Sequence, residues 1–129
     1  MRKIYKRKIL QVISEGCKFL VFGILHFQPI FSAFQRIEEV NMQELFRYDA
    51  TVFGVERHVF LSKWLRMTGS HARVAIDNKG SIVGYTVARP TFIKDSYKIG
   101  PLFADSEVIA EKLLKAVFEE LLRQQLLLL

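Results

Sequence analysis

The stretch Ile99–Leu114, IGPLFADSEVIAEKLL, governs the reading of this chain. Its first part continues a strand from Tyr97 to Phe103, apolar through Ile99, Leu102 and Phe103. Ala104-Asp105-Ser106 then turns the chain into a long helix, Glu107 to about Gln124. The helical stripe is Ala110, Leu113, Leu114, Val117 and Leu121, at the spacing that buries one face. A strand feeding a helix through so short a turn leaves the first N–H groups and the positive end of the helix dipole near Ser106. Asp105 reads as a plain N-cap.

Upstream of this unit the hydrophobic period is two. Ala72–Ile76 is a short strand, Asp77-Asn78-Lys79-Gly80 has hairpin chemistry, and Ser81–Ala88 returns. Gly84, inside the returning strand, signals a bulge or a close backbone approach. Arg89-Pro90 is expected to stop that strand, because proline donates nothing to a ladder. Further upstream the period becomes helical. Asn41 is a plausible N-cap for Met42–Thr51, with Met42, Leu45, Phe46 and Ala50 near helical spacing and Gly54 ending the helix. Val55–Met67 reads as a second helix with a broad apolar face of Val55, Val59, Phe60, Leu61, Trp64 and Leu65, closed by Thr68-Gly69-Ser70. The order helix–helix–hairpin–strand–helix is an α/β pattern.

The chain has 129 residues and a mass of 15.0 kDa, room for one modest core. Half of it is hydrophobic and a quarter charged, a globular balance. The net charge of +6 comes almost entirely from Arg2, Lys3, Lys6, Arg7 and Lys8, and beyond them 14 cations face 13 anions. Lys and Arg do not interleave with aromatics along one face, so nucleic acid is not an expected partner. One cysteine, Cys17, excludes a disulfide scaffold and a cysteine-based zinc site. Residues 1–36 form a basic, apolar extension expected to be helical, with Leu10, Ile13, Cys17, Leu20, Val21 and Ile24 on one stripe. Its uninterrupted apolar run, Phe19–Leu25, is far short of the roughly 20 residues that span a bilayer. A membrane-surface or targeting role and a segment without structure of its own are the other readings.

From Leu45 to Leu122 the chain resembles the GNAT-type N-acetyltransferase superfamily. It is most similar to the divergent GNAT-like domain found as the second half of two-domain members. The resemblance rests on Tyr48-Asp49, Val52-Phe53-Gly54, Arg57, Phe60-Leu61 and Trp64-Leu65. It continues through Val74-Ala75, Asp77, Gly80, Ile82-Val83-Gly84-Tyr85, Ala88-Arg89-Pro90 and the phrase IGPLFADSEVIAEKLL. The implied fold is α/β, a partial GNAT-like (acyl-CoA N-acyltransferase) fold of two helices, antiparallel strands, then strand–turn–long helix. The implied domain covers 37–125, with an apolar tail at 126–129. The implied co-substrate is acetyl-CoA or another acyl-CoA, without a metal. Gly100, Leu102, Phe103, Ala104, Asp105, Ser106 and Ala110 would bind it, the pyrophosphate at the helix start near Ser106 and the pantetheine arm along Ile99–Phe103. Asp105 stands where the superfamily loop commonly carries Gln or Arg, and Val108 stands at its middle glycine.

The resemblance implies transfer of an acyl group to the amine of a small molecule or peptide by direct attack on the thioester. The other functional class is a non-catalytic interaction or regulatory domain that has lost a complete cofactor cleft. A complete fold of this family continues beyond the long helix, so the chain reads as truncated. Leu126–Leu129 are then expected to be covered by a partner or a second copy. A cytoplasmic location is expected. No catalytic residue is assigned. His58 and His71 read as surface histidines, the latter in a polar turn, and His26 as a packing residue. Glu56 and Asp49 read as caps or as partners of Arg57 rather than as amine ligands. Tyr85 and Tyr97 read as strand tyrosines with surface hydroxyls.

Overall fold

A computed structural model describes residues 3–4, 34–93 and 96–127. The expectations for Cys17, His26 and the apolar run Phe19–Leu25 lie outside these residues, as do Leu128 and Leu129. Strands β1 (Lys3–Ile4) and β2 (Phe34–Arg36) precede a 3-10 turn, Ile37–Glu39. Helices α1 (Met42–Phe53) and α2 (His58–Leu65) follow, then β3 (His71–Ile76), β4 (Ile82–Pro90), β5 (Tyr97–Ala104) and helix α3 (Glu107–Leu127). The strands form one antiparallel sheet in the order β1-β5-β4-β3-β2. This is the mixed α/β arrangement expected from the sequence. Lys3–Ile4 and Phe34–Arg36 are strands, although residues 1–36 were expected to be helical.

Local chemistry sets most boundaries. The Asn41 side chain accepts from the Gln43 N–H at 3.0 Å, and Gly54 ends α1 in the left-handed region at φ 98°. In the β3–β4 turn, Asp77 Oδ1 accepts from the N–H groups of Lys79 and Ser81, both at 2.9 Å.

Several expected boundaries move. Helix α2 is shorter than expected, because Arg57 is drawn back onto Asp49 and lies outside the helix. Val55, Val59 and Phe60 are consequently exposed, and the buried face narrows to Leu61 and Leu65 with Trp64 packed beside them. His71 is the first residue of β3 rather than part of a turn. Pro90 ends β4 within the strand: β3 begins opposite Ala88, and the proline ring passes beside Gly69. Helix α3 continues to Leu127, so Leu126 and Leu127 belong to it.

Two layers cover the sheet. On one face α1 and α2 bury Leu45, Tyr48, Leu61 and Leu65 against Val74, Tyr85, Val87 and Phe103. On the other, α3 sets Ala110 and Leu113 against Ala75, Leu102 and Ala104, and Val117 and Leu121 against Ala88 and Ile99. Ile99 and Leu102 are three apart yet face the same helix, which a regular strand forbids. The register supplies the reason: Thr86 pairs with Leu102 and Ala88 with Ile99, so Gly100 and Pro101 together oppose Val87 in a bulge.

Gly84 lets α3 approach the sheet this closely. A Cβ there would sit 2.8 Å from the Phe103 carbonyl oxygen and 2.9 Å from Leu113 Cδ1. Gly84→Ala is expected to lower unfolding stability by about 1–3 kcal/mol through overpacking, read by chemical denaturation. A change below about 0.5 kcal/mol, the ordinary surface range, would contradict that account.

Candidate functional site

The turn after β5 is fixed by a side chain from α1 and by the backbone of β4. The Asp105 N–H donates to the Val83 carbonyl at 2.8 Å. The Tyr48 hydroxyl lies 2.9 Å from Asp105 Oδ1 and 3.1 Å from the Val83 carbonyl oxygen. The Asp105 carboxylate is thus held by a hydroxyl from α1. The helix cap is Ser106 rather than Asp105: its Oγ accepts from the Ile109 N–H at 3.3 Å and its carbonyl from the Ala110 N–H at 3.1 Å. The α3 ladder starts at Ala110, so the amides ahead of it point out of the helix end.

The residues expected to bind a cofactor are brought to one end of the sheet. Leu102, Phe103, Ala104 and Ala110 are buried, which leaves backbone rather than side chains as their means of contact. Asp105 and Ser106 are half-buried. Gly100 is buried, and its carbonyl accepts from Trp64 Nε1 at 3.2 Å. On its outer edge β5 pairs with β1 only at Phe103 and Ala104. From Tyr97 to Leu102 no other described strand covers that edge.

Beneath β5 lies a buried charge cluster. Asp49, 1% exposed, receives Arg57 Nε at 2.8 Å on Oδ2 and Nη2 at 2.9 Å on Oδ1. The Tyr85 hydroxyl donates to the same Oδ1. Tyr85 is buried, not surface-facing as expected, and packs edge-on against Phe103 and Tyr48. Burial first, and then the Asp49 carboxylate, hold its phenol well above the ordinary tyrosine range. The hydrogen bond to Asp49 likewise raises Arg57. A phenol that holds its proton this tightly is a poor acid, so Tyr85 serves as structure.

Arg57 also forms a wall of a hollow of about 430 Å³ between the end of α1, α2 and the bulged part of β5. Phe53, Phe60, Trp64 and Phe103 supply aromatic surface, and Arg57, Arg89 and Lys98 supply cations. The Arg57 guanidinium carbon sits 3.7 Å from the Phe53 ring centroid, and that of Arg89 sits 3.4 Å from that of Trp64. Desolvation lowers Arg89 below the ordinary arginine value. A second hollow, about 520 Å³, lies by β2 and β3 beside the Arg73–Glu120 pair, away from the β5–α3 turn.

His58 is exposed and pairs with Glu56 at 3.3 Å, so Asp49 rather than Glu56 is the partner of Arg57. Among the described residues no cluster of His, Cys, Asp or Glu is placed to hold a metal ion, and no helix is long and apolar enough to cross a membrane. The hollow escaped the sequence reading because its walls come from three separated segments. The available signal was the bare run of Phe53, Arg57, Phe60 and Trp64 at helical spacing.

The profile of the acetyltransferase (GNAT) domain matches residues 45–128, well over half of the chain. The chain belongs to the GNAT acetyltransferase family. It is 29% identical over 79 residues to holothin acyltransferase of Pseudoalteromonas sp. (strain SANK 73390). That match covers 61% of this chain and 26% of the relative, so the chain spans about a quarter of the curated relative's length. No solved structure matches. Acyl transfer is therefore the activity of the family and of a relative, and GNAT domains generally use acyl-CoA with small-molecule or peptide amines.

The charge cluster yields a pH prediction. The folded chain keeps the Tyr85 proton after the unfolded chain has lost its own. That contribution is complete below the ordinary tyrosine value near 10 and fades as pH rises past it. Tyr85→Phe should cost about 1–3 kcal/mol at neutral pH, from the lost hydrogen bond to a buried carboxylate, and flatten the alkaline loss of stability. Equal alkaline slopes in denaturant titrations of the two proteins would contradict the assignment.

Proposed function

We propose that this GNAT domain is an N-acyltransferase that binds acetyl-CoA or a related acyl-CoA at the β5–α3 turn and acylates an amine held in the hollow. The run of β5 from the aromatic hollow to the α3 N-terminus, along an edge that no other described strand covers from Tyr97 to Leu102, carries this reading. The pyrophosphate would take the first-turn amides ahead of Ile109, whose own N–H is capped by Ser106, together with the Ser106 hydroxyl proton, where the helix dipole favours negative charge. The donor set fits, because the Asp105 carboxylate is engaged by Tyr48 rather than turned to the anion alone. The pantetheine arm would pair along Ile99–Phe103, and Gly100–Phe103 would carry the thioester past the hollow.

The chemistry is a direct transfer. The amine nitrogen attacks the thioester carbonyl, the N–C bond forms and the C–S bond breaks. The proton shed by the attacking nitrogen goes to the departing thiolate, so coenzyme A leaves as the thiol. Positioning of the two substrates supplies most of the acceleration in such a step.

A second reading is supported by one observation. Ile4 pairs with Phe103 and Lys3 with Ala104, on the edge the arm would use. A domain whose own strand closes that edge permanently is a scaffold for interactions rather than an enzyme.

Calorimetric titration of the folded chain with acetyl-CoA separates the two. Saturable micromolar binding supports the transferase, and absence of binding supports the scaffold. Ser106→Asp keeps a good N-cap while adding a charge, and is expected to weaken binding at least tenfold without lowering stability. Glu107→Gln removes an exposed carboxylate from the same turn and is expected to tighten binding several-fold. Unchanged affinity in both variants would remove the pyrophosphate from this turn.

A further inference from the structure

The charges of the hollow are unevenly matched. Arg57 is neutralised by its two bonds to Asp49. Arg89 and Lys98, neighbours across the β4–β5 ladder, line the same space, and no described carboxylate lies within ion-pair distance of either. Among the described residues, no acidic side chain lines the hollow. The face of the Arg89 guanidinium is occupied by Trp64, which engages none of its N–H donors. Its Nε is shielded from solvent and makes no hydrogen bond. Such a group is costly to bury unless an anion completes it. A stacked guanidinium presents its N–H edge in a fixed plane, the geometry that grips a carboxylate with two parallel bonds. An acyl-chain pocket would gain nothing from these two cations.

We propose that the hollow recognises an amine acceptor that also bears a carboxylate, its apolar or aromatic body against Phe60, Trp64 and Phe103 and its carboxylate on Arg89 and Lys98. The volume of about 430 Å³ suits one small molecule of this type rather than a nucleotide or a folded partner. The acceptor assignment rests on the acyl-transfer reading above. The recognition of a carboxylate by the hollow does not.

Trp64 is the only tryptophan of the chain, so its emission reports on the hollow directly. The full chain is titrated, without any acyl-CoA, with 3-phenylpropionate, with the neutral 3-phenylpropionamide and with 2-phenylethylamine. The expected result is a saturable change with the carboxylate, at least tenfold tighter than with the amide or the amine. Arg89→Gln should weaken it about tenfold, the usual cost of a lost charge-assisted bond. Lys98→Gln should weaken it several-fold; because Lys98 is exposed, its melting temperature should not move. Should Arg89→Gln fail to fold, Lys98→Gln still decides. Equal affinity for amide and carboxylate would overturn the proposal and make the hollow an acyl-chain pocket. No saturable binding, or no effect of Lys98→Gln in a chain that binds, would overturn it as well. Carboxylate binding in a chain that does not take up acetyl-CoA would retain the hollow's specificity and reject the transferase. The converse result would retain the transferase and reject this acceptor class.

Discussion

The carboxylate of Asp49 ties three separate parts of the chain to one buried point. It sits late in α1, receives both donors of the Arg57 fork from the α1–α2 connection, and takes the Tyr85 hydroxyl from the central strand. An ionised group with 1% of its surface exposed is tolerated only when its lone pairs are met, and here three donors meet them. Removing one partner of such a pair costs more than the pair itself contributes, so the cluster acts chiefly as a constraint on geometry. Holding Arg57 inward shortens α2 and places the guanidinium on Phe53, which fixes one wall of the hollow. Tyr85 in turn supports Phe103, the residue shared by core and hollow.

The other side of the sheet meets a different constraint with the same consequence. Without a side chain at Gly84, α3 packs down onto β4 and β5, and its first turn is anchored through the Asp105–Val83 bond and the Tyr48 hydroxyl. The bulge at Gly100–Pro101 then lets β5 change its facing part-way along. Leu102 and Ala104 serve the helix, while Gly100, Pro101 and Phe103 line the hollow. One strand thereby joins the N-terminal end of a helix with a hollow walled by aromatic rings and cations.

Much of this was legible where the chemistry is local. Asn41, Gly54 and the Asp77–Gly80 turn act through hydrogen bonds or backbone conformations spanning a few residues, and the stripe from Ala110 to Leu121 follows from helical period alone. Gly84 announced a close approach, although not of what. The pairing of Asp49 with Arg57 could be read as well. Tyr85 could not be oriented, because β4 is buried on both faces and alternation then carries no sign. Val55, Val59 and Phe60 misled for a related reason: an apolar pattern says nothing about where a neighbouring ion pair will end the helix. The role of Ser106 as cap was hidden beside Asp105, an equally good capping type whose carboxylate is engaged by Tyr48, 57 positions away. The hollow depends on long-range packing throughout.

The central claim is that the β5 edge and the first turn of α3 together receive an acyl-CoA. Residue-resolved amide hydrogen exchange, with and without coenzyme A, tests it most directly. The account predicts protection concentrated at residues 99–109, with little change in β2, β3 and the hollow beside Arg73 and Glu120. Protection confined to that distant hollow, or none along residues 99–109 at saturating coenzyme A, would contradict it.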